Sequence, residues 1–254
     1  QGGIDSHYAR GIMQRLGREG FRTCLMLFRG CGSEPNRLPI SYHSGKTDDP
    51  QTVLEHIQRH HGLDVHGVVG ISLGGNVLLK WLGEHADAAP IRRAVAISVP
   101  FRLDQAARRL ETGLSRLYQR HLVSSLQDAY RRKFARIPSP LQIDVTQLDT
   151  FRLFDDQVTA ALHGFAGVDD YYARCSSRPF VPHIRVPTLI LHARDDPFMF
   201  ADTPPEPAEL PPCVSLEIPD AGGHVGFVEG RIPGFASYYA DRRVAEWMRA
   251  GTSG

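Results

Sequence analysis

Residues 68–76 read Val-Val-Gly-Ile-Ser-Leu-Gly-Gly-Asn, and no other stretch restricts the fold of this chain as tightly. An apolar run, His66–Ile71, leads into Ser72. Behind it, Val77, Leu78, Trp81 and Leu82 recur at helical spacing over residues 73–85. The pattern is therefore Gly-x-Ser-x-Gly at a strand-to-helix junction. Such a turn is sharp, so Ser72 is expected in a strained backbone conformation, with Gly70 and Gly74 leaving room on either side. It lifts the serine oxygen above a sheet and sets it at a helix N-terminus, where amides and the helix dipole favour developing negative charge. Ser72 is the candidate nucleophile, and the Leu73 amide is the candidate oxyanion donor.

A junction of this kind belongs to a mostly parallel α/β sheet, and the rest of the chain agrees. Five short runs rich in Val, Ile or Leu read as strands: Thr23–Phe28, His66–Ile71, Ala94–Val99, Thr188–His192 and Val214–Ile218. Continuous apolar runs of this length suit parallel strands covered on both faces. Helical periodicity falls between them at Tyr8–Gly17, Pro50–His61 and Leu73–His85, and again at the end, Tyr238–Arg249. Residues 101–182 break the rhythm. They hold no clear strand and interleave arginines with aromatics and leucines, as an inserted helical lid would. The organisation expected is a core of residues 1–100 and 183–254 with a lid at 101–182. The proline-rich stretch Thr203–Pro212 reads as a loop.

Composition excludes some partners. With 29 Lys+Arg against 28 Asp+Glu, the net charge is +1 over 254 residues, which gives no concentrated basic surface for nucleic acid. One basic run, Tyr130-Arg131-Arg132-Lys133-Phe134, reads as a solvated helix face. No apolar stretch reaches membrane-spanning length. Cys24, Cys31, Cys175 and Cys213 form no CxxC pair and no zinc spacing, and Cys24 reads as core. A reduced, cytoplasmic protein is the expectation.

A serine hydroxyl needs a base, and the base needs an orienting group. In a sheet of this type the order is Ser, then Asp or Glu, then His. The apolar strand from Pro187 ends in Asp195-Asp196-Pro197, at the carboxyl end where α/β enzymes place catalytic groups. Asp196 is taken as the orienting acid because Pro197 begins a new turn directly after it, and Asp195 as a loop carboxylate. Ala221-Gly222-Gly223-His224 follows the last strand, and its glycines free the loop to fold back over the sheet. His224 is the candidate base. His60, His61 and His85 read as exposed helix residues, His66 as a strand opener and His192 as a satisfied core group.

Taken together, these residues resemble the YheT-like family of α/β-hydrolases. The likeness is carried by Ser6-His7-Tyr8-Ala9-Arg10-Gly11, by residues 28–36 and Tyr42-His43-Ser44-Gly45, and by the elbow with its continuation through Leu82. Asp170-Tyr171-Tyr172, the strand from Pro187 to Asp196 and residues 222–226 complete it. The resemblance implies a triad of Ser72, Asp196 and His224, a helical lid and acyl-ester substrates of short or medium chain; the acyl-enzyme chemistry of such a triad needs no metal or organic cofactor. It also implies a His-Gly-x-x-Gly turn, part of the oxyanion hole, ahead of the Ser-His-Tyr-Ala stretch. Only Gln1-Gly2-Gly3-Ile4-Asp5 precedes Ser6 here, so Gly2 and Gly3 stand as the oxyanion and substrate-binding candidates. The first strands of the sheet are expected to be missing from the chain.

Other residues compete for roles. Cys31 lies in a tight glycine loop with no neighbouring histidine to activate it. His43 and Asp48 form an H-x4-D pattern of the acyltransferase kind, although Asp48 or Asp49 capping a helix from Pro50 is the simpler expectation. Tyr171, Tyr172, Phe165 and Phe180 are either acyl-pocket lining or lid packing. The function expected is carboxylic-ester hydrolysis through an acyl-enzyme. Acyl transfer from the same intermediate and a non-catalytic binding protein are the alternatives.

Overall fold

A computed structural model describes residues 3–229 and 237–250. Four parallel strands, β1 (Gly67–Ile71), β2 (Arg93–Ile97), β3 (Thr188–Leu191) and β4 (Val214–Glu217), pair in that order. Val68 lies opposite Ala94, Ala94 opposite Thr188, and Thr188 opposite Val214. All four residues of β3 are buried, because helices cover both faces of the strand.

On one face, α3 (Leu73–His85) brings Leu78, Leu79, Trp81 and Leu82 against Ala94, Ala96 and Ile190. On the other, α1 (His7–Arg18) and α9 (Tyr239–Arg249) bring Ile12, Leu16, Val244 and Met248 against Val95, Ile97, Leu189 and Leu191. Each fully buried Leu or Ile contributes about 1.5–3 kcal/mol relative to an exposed one. Leu191→Ala, at the centre of that layer, costs about 2–5 kcal/mol. Between β2 and β3 the chain is helical. It forms α4 (Leu103–Leu110), α5 (Ser115–Phe134), α6 (Phe151–Phe154), a π-helical turn at Asp155–Ala160, α7 (Ala161–His163) and α8 (Val168–Cys175). A short antiparallel pair, β5 (Val228–Glu229) with β6 (Ser237–Tyr238), precedes α9.

Several expectations are corrected. Thr23–Phe28 is not a strand. A strand exists only where a neighbour completes its ladder, and β1, which among the described residues pairs with β2 alone, shares with this segment the walls of one cavity. Cys24 is accordingly exposed rather than core. The helix expected from Pro50 starts at Asp48, as α2 (Asp48–His61), with Thr47 at its N-cap. Asp49 does not cap it; its carboxylate holds the Arg29 guanidinium in a fork. His85 is half-buried, its Nδ1 hydrogen-bonded to the Trp81 carbonyl. The loop at Thr203–Pro212 contains a single 3-10 turn, Pro207–Glu209, pinned by the Arg178–Glu209 ion pair. Among the described residues no helix is long and apolar enough to cross a membrane.

Candidate active site

Ser72 caps α3 with φ 52° and ψ −120°, the strained left-handed backbone that the elbow requires. The glycines divide the work differently from the expectation. A Cβ on Gly70 would lie 2.5 Å from the Gly74 carbonyl oxygen, so this position must be bare. One on Gly74 would meet only the Phe28 ring at 4.0 Å. It is Gly75 whose Cβ would press to 2.7 Å from Val99. The turn is therefore tight where α3 crosses over the end of β2, and open on the Gly74 side.

The three candidates for a triad converge. His224 Nε2 lies 2.9 Å from Ser72 Oγ. On the far side of the ring, Nδ1 is 2.9 Å from Asp196 Oδ2 and 3.1 Å from Oδ1. The Asp196 side chain is 1% exposed and that of His224 13%, so the hydrogen bonds sit largely out of water. Asp196 Oδ1 also accepts from the Phe198 backbone N–H at 2.9 Å, which fixes the carboxylate plane. The Phe198 ring stacks on the imidazole, centroids 4.2 Å apart and 24° between planes.

Asp195 does more than occupy a loop. Its Oδ1 accepts the Gly222 and Gly223 amides, both at 2.8 Å, and so ties the histidine loop to the acid turn. Gly222 is required there: a Cβ would come within 2.8 Å of Ala193 and Phe227. Gly223, at φ 59°, completes the reversal that no L-residue adopts without strain.

Leu73 is the first residue of α3, so its N–H has no intrahelical acceptor, and none is found for it among the described residues at the mouth of the elbow. Gly3 lines the cavity that Ser72 and His224 also line, and its carbonyl accepts from Ser6. Gly2 lies outside the described residues.

That cavity has a volume of about 1500 Å³. Leu103, Leu110, Phe154, Val158, Tyr171 and Tyr172 supply an apolar wall from the helices between β2 and β3. Phe165 and Phe180 do not belong to it. Phe165 packs on His43 and Tyr171, and Phe180 lies on the opposite side of α3 beneath the Lys80 ammonium. The H-x4-D residues also part. His43 Nδ1 accepts from the Gly45 amide while Asp48 pairs with Lys46. Burial above all, then His163 and Lys46, pushes His43 down to about 3. Burial likewise pushes the Cys31 thiol up to about 11, which keeps it protonated and a poor nucleophile. His192 is buried, but it is not the satisfied core group expected, since its Nδ1 has no partner among the described residues.

Sequence reading missed Asn76. Its fully buried amide donates to the carbonyls of Ser44 and Cys175, each at 2.8 Å, and accepts from the Ser177 N–H at 2.9 Å. The Tyr171 hydroxyl reinforces the same joint, donating to Ser44 Oγ and accepting from the Ser44 amide. The sequence signal was a polar residue in the first turn of an otherwise largely apolar helix, one turn ahead of Lys80.

Comparison with known proteins agrees with this architecture. The family model for the alpha/beta hydrolase fold matches residues 1–231. The chain is 40% identical over 251 residues to "Putative esterase YheT" of Escherichia coli (strain K12), covering 98% of this chain and 74% of that protein. It is 30% identical to "Phospholipase ABHD3" of Homo sapiens, covering 91% of this chain and 57% of that protein. The chain thus spans about three quarters of the first relative and little more than half of the second. Among solved structures, the Pyrococcus furiosus esterase PF2001 superposes with a TM-score of 0.57 at 18% identity, over 97% of this chain and 77% of that one. The chain belongs to the α/β-hydrolase fold family, as a YheT-like hydrolase of the esterase and lipase type.

Proposed function

We propose that the protein cleaves carboxylic esters of short- or medium-chain acyl groups through an acyl-enzyme on Ser72. The observation that carries this reading is the continuous hydrogen-bonded line from Asp196 through His224 to Ser72 Oγ. His224 Nε2 takes the hydroxyl proton as Ser72 attacks the ester carbonyl, then passes it to the leaving alcohol. Asp196 holds Nδ1–H, setting the tautomer and steadying the imidazolium. The Leu73 amide receives the oxyanion at the positive end of α3. Water, activated by the same histidine, then releases the acid. The apolar wall of the cavity supports an acyl chain as the buried part of the substrate, under residues 101–182 acting as the lid. The free thiols among the described residues support a reducing compartment, the cytoplasm.

The test is labelling with a fluorophosphonate probe, comparing the chain with Ser72→Ala. Label on the parent that is lost in the variant, with hydrolysis of 4-nitrophenyl esters falling by about 10⁴-fold or more, supports the reading. A folded parent that takes no label favours a non-catalytic binding protein. Product transferred to an added alcohol, in excess over free acid, favours acyl transfer.

A further inference from the structure

The basic run at residues 130–134 behaves only in part as a solvated helix face. Arg131 and Arg132 are exposed, but Lys133 points inward from α5 and is 6% exposed. Its ammonium donates to Asn36 Oδ1 at 3.1 Å and to the Ile40 carbonyl. An ammonium carries three N–H donors, and the third has no acceptor among the described residues. Nor does any carboxylate pair with it among them. Two nearby cations have carboxylate partners: Arg29 is held in a fork by Asp49, and Lys46 pairs with Asp48. Arg132 and Arg136 line the same cavity but are exposed, whereas Lys133 is a buried cation of this wall, with the Phe134 ring 5.6 Å away and no carboxylate partner among the described residues. Burial, and then Arg29, pushes it down to about 8.

A buried, unpaired cation is costly, and such charges in proteins are paired with an anion or neutralised. Lys133 lines the cavity that Ser72 and His224 line, where a ligand could supply the anion. Asn36, Arg29, Ser41 and His43 line the same cavity, giving it polar lining alongside the apolar wall. We propose that Lys133 binds an anionic group of the substrate, so that the ester turned over carries a phosphate or a carboxylate in addition to its acyl chain. This rests on the reading of Ser72 as the acylated serine.

The experiment separates the two readings. Calorimetric titration of the chain with octyl phosphate, octanoate and 1-octanol reports the subsite without requiring turnover. Hydrolysis of the neutral ester 4-nitrophenyl octanoate by the same preparation reports Ser72 independently. The expectation is that at least one of the two anions binds about tenfold or more tighter than 1-octanol, and which of them does so distinguishes phosphate from carboxylate. Lys133→Met removes that preference and Lys133→Arg keeps it, whereas a merely structural lysine would weaken anion and alcohol binding alike. A preference unchanged in Lys133→Met overturns the proposal. So does the absence of any preference in the parent chain, which settles the matter even if Lys133→Met does not fold.

Discussion

At the level of single residues, neighbouring and chemically identical side chains do different work. Asp195 and Asp196 are adjacent, yet one ties two backbone amides and the other faces the imidazole. Asp196→Asn keeps the shape but favours the wrong histidine tautomer, and kcat is expected to fall by about 10⁴. Asp195→Asn keeps an Oδ1 that can accept both amides and loses only the charge that strengthens them, about 1 kcal/mol in the position of the loop, so activity should fall far less while the melting temperature drops slightly. Steady-state kinetics with thermal melting of both variants checks the contrast. The paired glycines divide in the same way. Gly75→Ala drives a methyl group to 2.7 Å from Val99 and should cost about 1–3 kcal/mol. Gly74→Ala enters open space in the first turn of a helix and should be neutral or stabilising by about 0.5–1 kcal/mol. Urea denaturation of the two variants gives the comparison. The Gly-x-Ser-x-Gly pattern marked the elbow correctly. It could not say which glycine the packing needs, because that depends on Val99, 24 residues beyond Gly75 in the sequence.

Among elements, the joint at Asn76 connects α3, the loop at residues 41–45 and the end of α8. Three buried backbone groups rely on one amide. Asn76→Leu preserves bulk but strands all three, and a loss of about 3 kcal/mol or more is expected from the cost of unsatisfied buried groups. Asn76→Asp retains the acceptor for Ser177 and loses both donors, so it too should destabilise the chain. Chemical denaturation that leaves either variant at parent stability would show the joint to be incidental. The helices α1, α2, α3 and α9 and all four main strands were legible from periodicity to within two residues, because their apolar faces repeat at 3.6 or run unbroken, whereas the bounds of α4 to α8 were not. The strand β2 was read two residues too long at its end: the apolar run continues through Val99, while the chain leaves the ladder at Ser98 with φ 52°. Thr23–Phe28 was misread because strand propensity describes a segment, whereas a ladder needs a neighbour.

Over the whole molecule, buried ionisable groups set an acid limit to stability. His43 is pushed down to about 3 and His163 to about 4, both by burial first, from an unfolded value near 6.5. Both are therefore neutral in the folded state at pH 5, while the unfolded chain is protonated there. The unfolded state binds more protons, so stability is fully present above pH 6.5 and declines as pH falls toward 4. Asp155, pushed up to about 6 by burial, takes up its proton in the folded state first and opposes part of that decline. The expected outcome is a net loss between pH 6.5 and 4, reduced in His43→Gln, measured by urea unfolding across that range. A parent and variant with the same acid slope would remove His43 from the account.

The amino-acid sequence by itself determined the sheet-and-helix alternation, the elbow at Ser72 and the order of the acid and base candidates. Each of these is written locally, in apolar periodicity and in glycines beside a reactive side chain. Tertiary structure alone decided that Asp195 ties down the Gly222 and Gly223 amides, that Gly75 is the crowded glycine, that Phe180 lies away from the cavity and that Lys133 is buried with no carboxylate partner among the described residues. These depend on contacts between residues far apart in the chain. Burial and pairing are properties of the packed neighbours rather than of the residue, so no local pattern could encode them.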